Sequence, residues 1–180
     1  MLRHALIAAC AAAAVAAVPA QAREAYVGVH KHEVNTPFTL DIPEGGADIQ
    51  FGVRWDRQAG LAFIGKPAPY VIGSINTQGD TSFAGAGLSW PLPIGKSLYV
   101  RPGLGMVVHT GPDLRFDPVT FRRTDLGSRV LFEPELAAGI HVSPRISVEA
   151  SWTHISHARI FNRDQNPGID MIGARVNLGF

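Results

Sequence analysis

The sequence predicts an all-β chain, an eight-stranded antiparallel β-barrel. Two observations carry this. Apolar and polar residues alternate with period two along most of the chain, where a helix would repeat every three to four residues. The alternating runs are separated by Gly-, Pro- and Asx-rich turns. The 19 Gly and 13 Pro are too many for a helical bundle and have no collagen-like period. A third observation places the barrel in a membrane. The N-terminus reads as an export signal, and the chain ends on the aromatic Phe180.

The signal occupies residues 1–22. Arg3 and His4 open it, Ala5 to Val18 is apolar, Pro19 closes it, and Ala20-Gln21-Ala22 has the small-x-small form of a cleavage site. The expected mature domain is 23–180. Cleavage removes Arg3 and leaves cations and acids balanced. It also removes Cys10, the one cysteine, so no disulfide framework and no Cys-rich metal site is expected. A formal net charge of +1 offers no basic field for nucleic acid.

Eight strands are expected at roughly 24–32, 47–55, 61–76, 80–90, 96–109, 127–142, 144–156 and 170–180. The third is interrupted by Pro67 and Pro69, and its regular part starts near Tyr70. The fifth sets Leu98, Val100, Pro102, Leu104, Met106 and Val108 on one face. The sixth does the same with Val130, Phe132, Pro134, Leu136, Ala138 and Ile140. In the seventh, Ile146, Val148, Ala150 and Trp152 oppose Ser147, Glu149, Ser151 and Thr153; in the eighth, Ile172, Ala174, Val176, Leu178 and Phe180 oppose Gly173, Arg175, Asn177 and Gly179. Pro102 and Pro134 fall in mid-strand and remove ladder donors, so bulges or weakened pairing are expected there. Connections at Asp56–Gly60, Pro91–Gly95 and Ser143–Pro144 are short. Those at Glu33–Gly46, Thr110–Leu126 and His157–Ile169 are long, and Asn76–Asp80 is an external but short one. Short periplasmic turns alternating with long external loops put both termini on the periplasmic side. Eight strands enclose a lumen filled by side chains, not a pore.

Common catalytic signatures are absent. Gly87-Leu88-Ser89-Trp90-Pro91 fails the last position of G-x-S-x-G, and there is no H-E-x-x-H and no P-loop. His30-Lys31-His32 reads as a polar strand end far better than as half a metal site. The chemistry-bearing stretch is Trp152-Thr153-His154-Ile155-Ser156-His157, followed by Asn166-Pro167-Gly168-Ile169-Asp170. His154 and Ser156 are two apart on a strand, so they share a face with Cα atoms about 6.6 Å apart. That face continues Val148, Ala150 and Trp152, and Asp170 is in phase with Ile172 and Ala174. Three polar residues thus interrupt the lipid-facing surface at the external end of the last hairpin. Their types are those of a nucleophile, a base and a group that orients the base. The competing reading makes them rim residues beyond the strand ends.

H-x-S followed by N-x-G-[IL]-[ED], a last strand and a terminal Phe resembles the outer-membrane lipid A 3-O-deacylases of the PagL type. The specific match covers His154 to Phe180. The resemblance implies that His154 is the base, Ser156 the nucleophile and Asp170 the acid that orients His154. It matches Asn166 to an Asn associated with the oxyanion hole, and Ala158 to a small residue two places after the nucleophile. His157 stands where the family often has Asn, and Arg159 where Gly is common. The implied activity is removal of an ester-linked 3-hydroxyacyl chain from lipid A, with no metal and no cofactor. The expected partner is lipopolysaccharide of the outer leaflet, and the expected location is the bacterial outer membrane. Arg159 and Arg163 could meet its phosphates or be ordinary loop cations. A noncatalytic structural or interaction barrel and a soluble ligand-binding periplasmic barrel are the alternatives. Oligomeric state, acyl length and regulation are left open.

Overall fold

A computed structural model describes residues 22–39, 44–111, 115–116, 123–124, 126–160 and 167–180. Residues 1–21, where the export signal is expected, lie outside the described residues, as do Asn166 and Arg163. Eleven strands are described: β1 Glu24–Lys31, β2 Ala47–Arg54, β3 Ala68–Asn76, β4 Phe83–Ser89, β5 Leu92–Ile94, β6 Leu98–His109, β7 Arg115–Phe116, β8 Arg123–Thr124, β9 Val130–His141, β10 Ile146–Ile155 and β11 Ile169–Gly179. Eight of them form the wall, in the order β4-β3-β2-β1-β11-β10-β9-β6, and a β4–β6 pairing closes it. All wall pairings are antiparallel. Closure leaves the eight-stranded wall without a first or last strand. At the β1–β11 seam, Phe180 N–H donates to the Arg23 carbonyl at 3.0 Å.

The alternation sorts the two faces as expected. Val27, Val29, Leu104, Met106, Val108, Leu136, Ile172, Val176 and Leu178 are exposed on the outer wall. Arg54, Arg101, Glu133, Glu135, Glu149 and Arg175 are buried in the lumen. Arg175 is the hub. It donates twice to Glu135, at 2.6 and 2.7 Å, and once to Glu149, at 2.5 Å. Arg54 and Arg101 both donate to Glu24, at 2.6 and 2.9 Å. Tyr70 O–H donates to Glu133. Buried charges survive only when paired in this way. Toward the end that carries the β10–β11 connection the lumen turns apolar. Ile155, Ile169 and Met171 pack there with Val107, Leu126 and Leu131.

Two expectations need correction. The third strand does not begin at residue 61: Ala59–Ile64 form a 3₁₀ turn that ends on Gly65 with φ 90°, and β3 starts at Ala68. Pro67 and Pro69 have no N–H, yet their carbonyls accept from Gln58 and Trp55 at 2.9 and 3.0 Å. The chain is therefore tied back as a turn before the ladder starts. Pro91–Gly95 is also more than a turn, because Leu92–Ile94 pair with Leu98–Val100.

The prolines behave differently from each other. Pro102 makes no bulge, and its register with Leu136 is continuous. Its other side faces the break between β4 and β5, where Trp90 N–H donates to the Pro102 carbonyl at 2.9 Å, so the lost donor falls where no ladder runs. Pro134 also keeps register with Leu104 of β6. Toward β10, however, the ladder stops at Glu135–Thr153 and resumes only at a Phe132–Ser156 bridge. The interruption lies where Pro134 would have donated to His154.

Candidate active site

β10 buries every second residue from Ile146 to Trp152, and then His154, Ile155 and Ser156 are all buried. The alternation ends because something covers the outward face. Part of the cover comes from the β1–β2 connection, which lies on Asp170 and Trp152. Val34 N–H donates to the Asp170 carbonyl at 2.9 Å, extending the β1–β11 seam. Thr36 and Phe38 follow it over the wall. The polar residues on this face are therefore not bare to lipid: Asp170 is 0%, Ser156 5% and His154 7% exposed.

His154 and Asp170 are directly paired in the β10–β11 register. Paired residues on one face of a sheet put their side chains in contact. Here His154 Nδ1 lies 2.9 Å from Asp170 Oδ1. Trp152 Nε1–H donates to the same oxygen at 2.7 Å. The second oxygen, Oδ2, accepts from the Thr36 hydroxyl. A buried carboxylate needs such donors to offset its lost hydration. With Nδ1 on Asp170, the other ring nitrogen, Nε2, remains for the residue two places on.

That residue is Ser156. It sits just beyond β10, held by two backbone hydrogen bonds to Phe132, at 2.8 and 3.1 Å. Its backbone is thus fixed to the wall although the ladder beside His154 is broken. Ser156 makes no hydrogen bond to His154 in this arrangement. Catalytic contacts of this kind often close only with substrate in place. The ring of His154 is fixed on two further sides. Trp152 stacks on it, with centroids 5.9 Å apart and planes 27° apart. Gly168 lies against the Cε1 part of the ring, where an added Cβ would clash with it. Phe38 packs on Trp152 with centroids 6.1 Å apart, completing a row of three rings.

Beyond Ser156 the chain turns sharply. His157 is fully buried, and neither ring nitrogen has a hydrogen-bond partner. Ala158 and Arg159 follow at φ 53° and 58°, and both are exposed. Left-handed backbone at two successive non-glycine residues is uncommon and costs energy, so this turn is held by its surroundings. Asn166, the other oxyanion candidate, lies outside the described residues.

The His30–His32 pair is structural. His30 Nε2 meets Ser151 Oγ at 2.6 Å, and His32 is held between Asp48 and Glu44 at 2.7 and 2.6 Å. Both ring nitrogens of His32 are taken. Among the described residues no group of His, Cys, Asp and Glu is arranged to hold a metal ion. Sequence reasoning did not find Thr36 or the roles of Trp152 and Gly168. Gly168 stood inside the recognised motif and Trp152 on the correct face. Thr36-Pro37-Phe38-Thr39 signals a turn, but nothing local names its partner.

Comparison with known proteins bears on the family and the fold. A family model described as lipid A 3-O-deacylase (PagL) matches residues 45–178. The crystal structure of the outer-membrane enzyme PagL superposes with a TM-score of 0.61 at 16% identity, covering 87% of this chain and 99% of that one. Neisserial surface protein A superposes at 0.56 and 8% identity, covering 87% and 96%. A de novo designed transmembrane β-barrel superposes at 0.50 and 12% identity, covering 88% and 96%. At such identities the structures establish the fold, a closed eight-stranded barrel of the outer-membrane kind. No curated protein matches by sequence.

Proposed function

This chain belongs to the lipid A 3-O-deacylase family, and from that membership we propose that it is an outer-membrane serine esterase that removes the ester-linked 3-hydroxyacyl chain of lipid A. The observation that carries the reading is the His154–Asp170 contact at 2.9 Å, with Ser156 on the same face at the external end of the wall. Lipid A lies in the outer leaflet beside that end. Residues 1–22 direct export and are removed.

Ser156 Oγ attacks the acyl carbonyl while its proton passes to His154 Nε2. Asp170 keeps His154 in the Nδ1–H tautomer and stabilises the imidazolium. The tetrahedral oxyanion is met by Asn166 and a backbone N–H near Ala158. Collapse breaks the ester bond, and the proton on His154 goes to the departing sugar oxygen. Water, deprotonated by His154, then attacks the acyl-enzyme and frees the 3-hydroxy fatty acid and Ser156. Arg159 lies at the exposed turn, where lipid A phosphates can reach it.

The test is mass spectrometry of lipid A from cells with and without the protein. The expected product is lighter by one 3-hydroxyacyl group, with free hydroxy fatty acid released, and Ser156→Ala abolishes the change in a barrel that still shows heat-modifiable gel mobility. An unchanged spectrum in a membrane that contains the substrate would identify a noncatalytic barrel.

A further inference from the structure

We propose that Thr36, on the β1–β2 connection, is a positioning residue of this site: its hydroxyl fixes the Asp170 carboxylate that orients His154. The inference rests on the esterase reading above and adds a residue to it. It stands on a contact between positions 134 residues apart in the chain, brought together because β1 and β11 close the barrel.

Asp170 is completely buried, so each of its oxygens must find a donor within the protein. Oδ1 receives two, from Trp152 and His154. Oδ2 receives the Thr36 hydroxyl. Without it, the carboxylate is held by one oxygen and can turn about its Cα–Cβ and Cβ–Cγ bonds. The Thr36 proton has a defined direction. Phe38 N–H donates to Thr36 Oγ1 at 3.1 Å, which occupies an acceptor position and leaves the hydroxyl proton for Asp170. The connection carrying Thr36 is anchored to the same residue by the Val34 N–H to Asp170 carbonyl bond. Thr36 therefore does not reach Asp170 from a freely moving loop.

A locked carboxylate matters most as positive charge develops on His154, because its orientation then decides how well the imidazolium is stabilised. Loss of the Thr36 hydroxyl should lower kcat and leave KM nearly unchanged. Thr36→Val removes the donor at constant shape, and Thr36→Ser keeps it. A hydrogen bond to a charged group justifies an expected kcat loss of about tenfold or more for Thr36→Val, with Thr36→Ser within about threefold of wild type.

Positioning is also read without turnover, by ¹⁵N NMR of the histidine rings in the detergent-solubilised full chain, with His154→Asn used to assign the His154 signals. Wild type and Thr36→Ser should show His154 protonated at Nδ1, and Thr36→Val should show a mixed tautomer. An unaltered His154 signal in Thr36→Val overturns the proposal, as does an altered signal with unchanged kcat in active protein. An altered signal in a wild-type background that deacylates nothing overturns the esterase reading and leaves the Thr36–Asp170–His154 coupling standing. If Thr36→Val loses heat-modifiable mobility, Thr36→Ala takes its place in the same comparison.

Discussion

Three side chains converge on the Asp170 carboxylate. His154 and Trp152 share one of its oxygens and Thr36 takes the other. Its replacement by Asn keeps the shape but removes the charge, and it turns an N–H₂ toward one of these donors. Asp170→Asn is therefore expected to lower kcat by about 10² to 10⁴, as for other orienting acids. Asp170→Glu keeps the charge, and the resemblance admits Glu at this position. It should retain clearly more activity than Asn, with some loss because an extra methylene must enter a fully buried space. Steady-state rates at one pH, on folded protein, decide this. Equal rates in all three forms would show that the Asp170 carboxylate does not serve catalysis and would place the orienting acid elsewhere.

The β10–β11 hairpin works as a unit because its register sets His154 opposite Asp170. The segment entering β11 contributes Gly168, which lies against the His154 ring. A Cβ at that position would stand 2.3 Å from Cε1 and 2.9 Å from Nε2. Gly168→Ala must therefore push the ring out of line with Ser156. A displacement near 1 Å can cost on the order of 10² in rate, and a loss of that size is expected. The ladders of the wall do not include Gly168, so the unfolding temperature should change little. Activity and heat-modifiable mobility of the same sample check both halves. The Pro134 gap in the β9–β10 ladder has the same locality: it removes one donor beside His154 and leaves β6–β9 continuous.

At the scale of the whole barrel, stability rests on a charged lumen. Arg175 bridges Glu135 and Glu149 while fully buried. Arg175→Met would fill similar space but leave two buried carboxylates without their main partner. Such a loss costs about 3–5 kcal/mol. The temperature at which the folded gel band converts to the unfolded one should fall well below that of an outward control such as Val176→Ala. An Arg175→Met barrel as heat-resistant as wild type would show that Arg54 and Arg101 can compensate alone. Because Met171 of the apolar layer lies between this network and the His154–Asp170 pair along β11, residual folded protein should keep its site geometry.

Period-two alternation and turn spacing were sufficient to determine the eight wall strands and the facing of their side chains, since pleat geometry forces successive side chains to opposite sides. The same rule put His154, Ser156 and Asp170 on one face. Alternation specifies direction but carries no information about what covers a face. Only the tertiary structure decided that these residues are buried, and that Thr36, from a connection near the other end of the chain, reaches Asp170. It also decided the fate of the prolines: whether a lost N–H matters depends on what lies on that side of the strand, a β4–β5 break for Pro102 and His154 for Pro134. Contacts across the β1–β11 seam join residues more than a hundred positions apart, and no local pattern encodes such a partner.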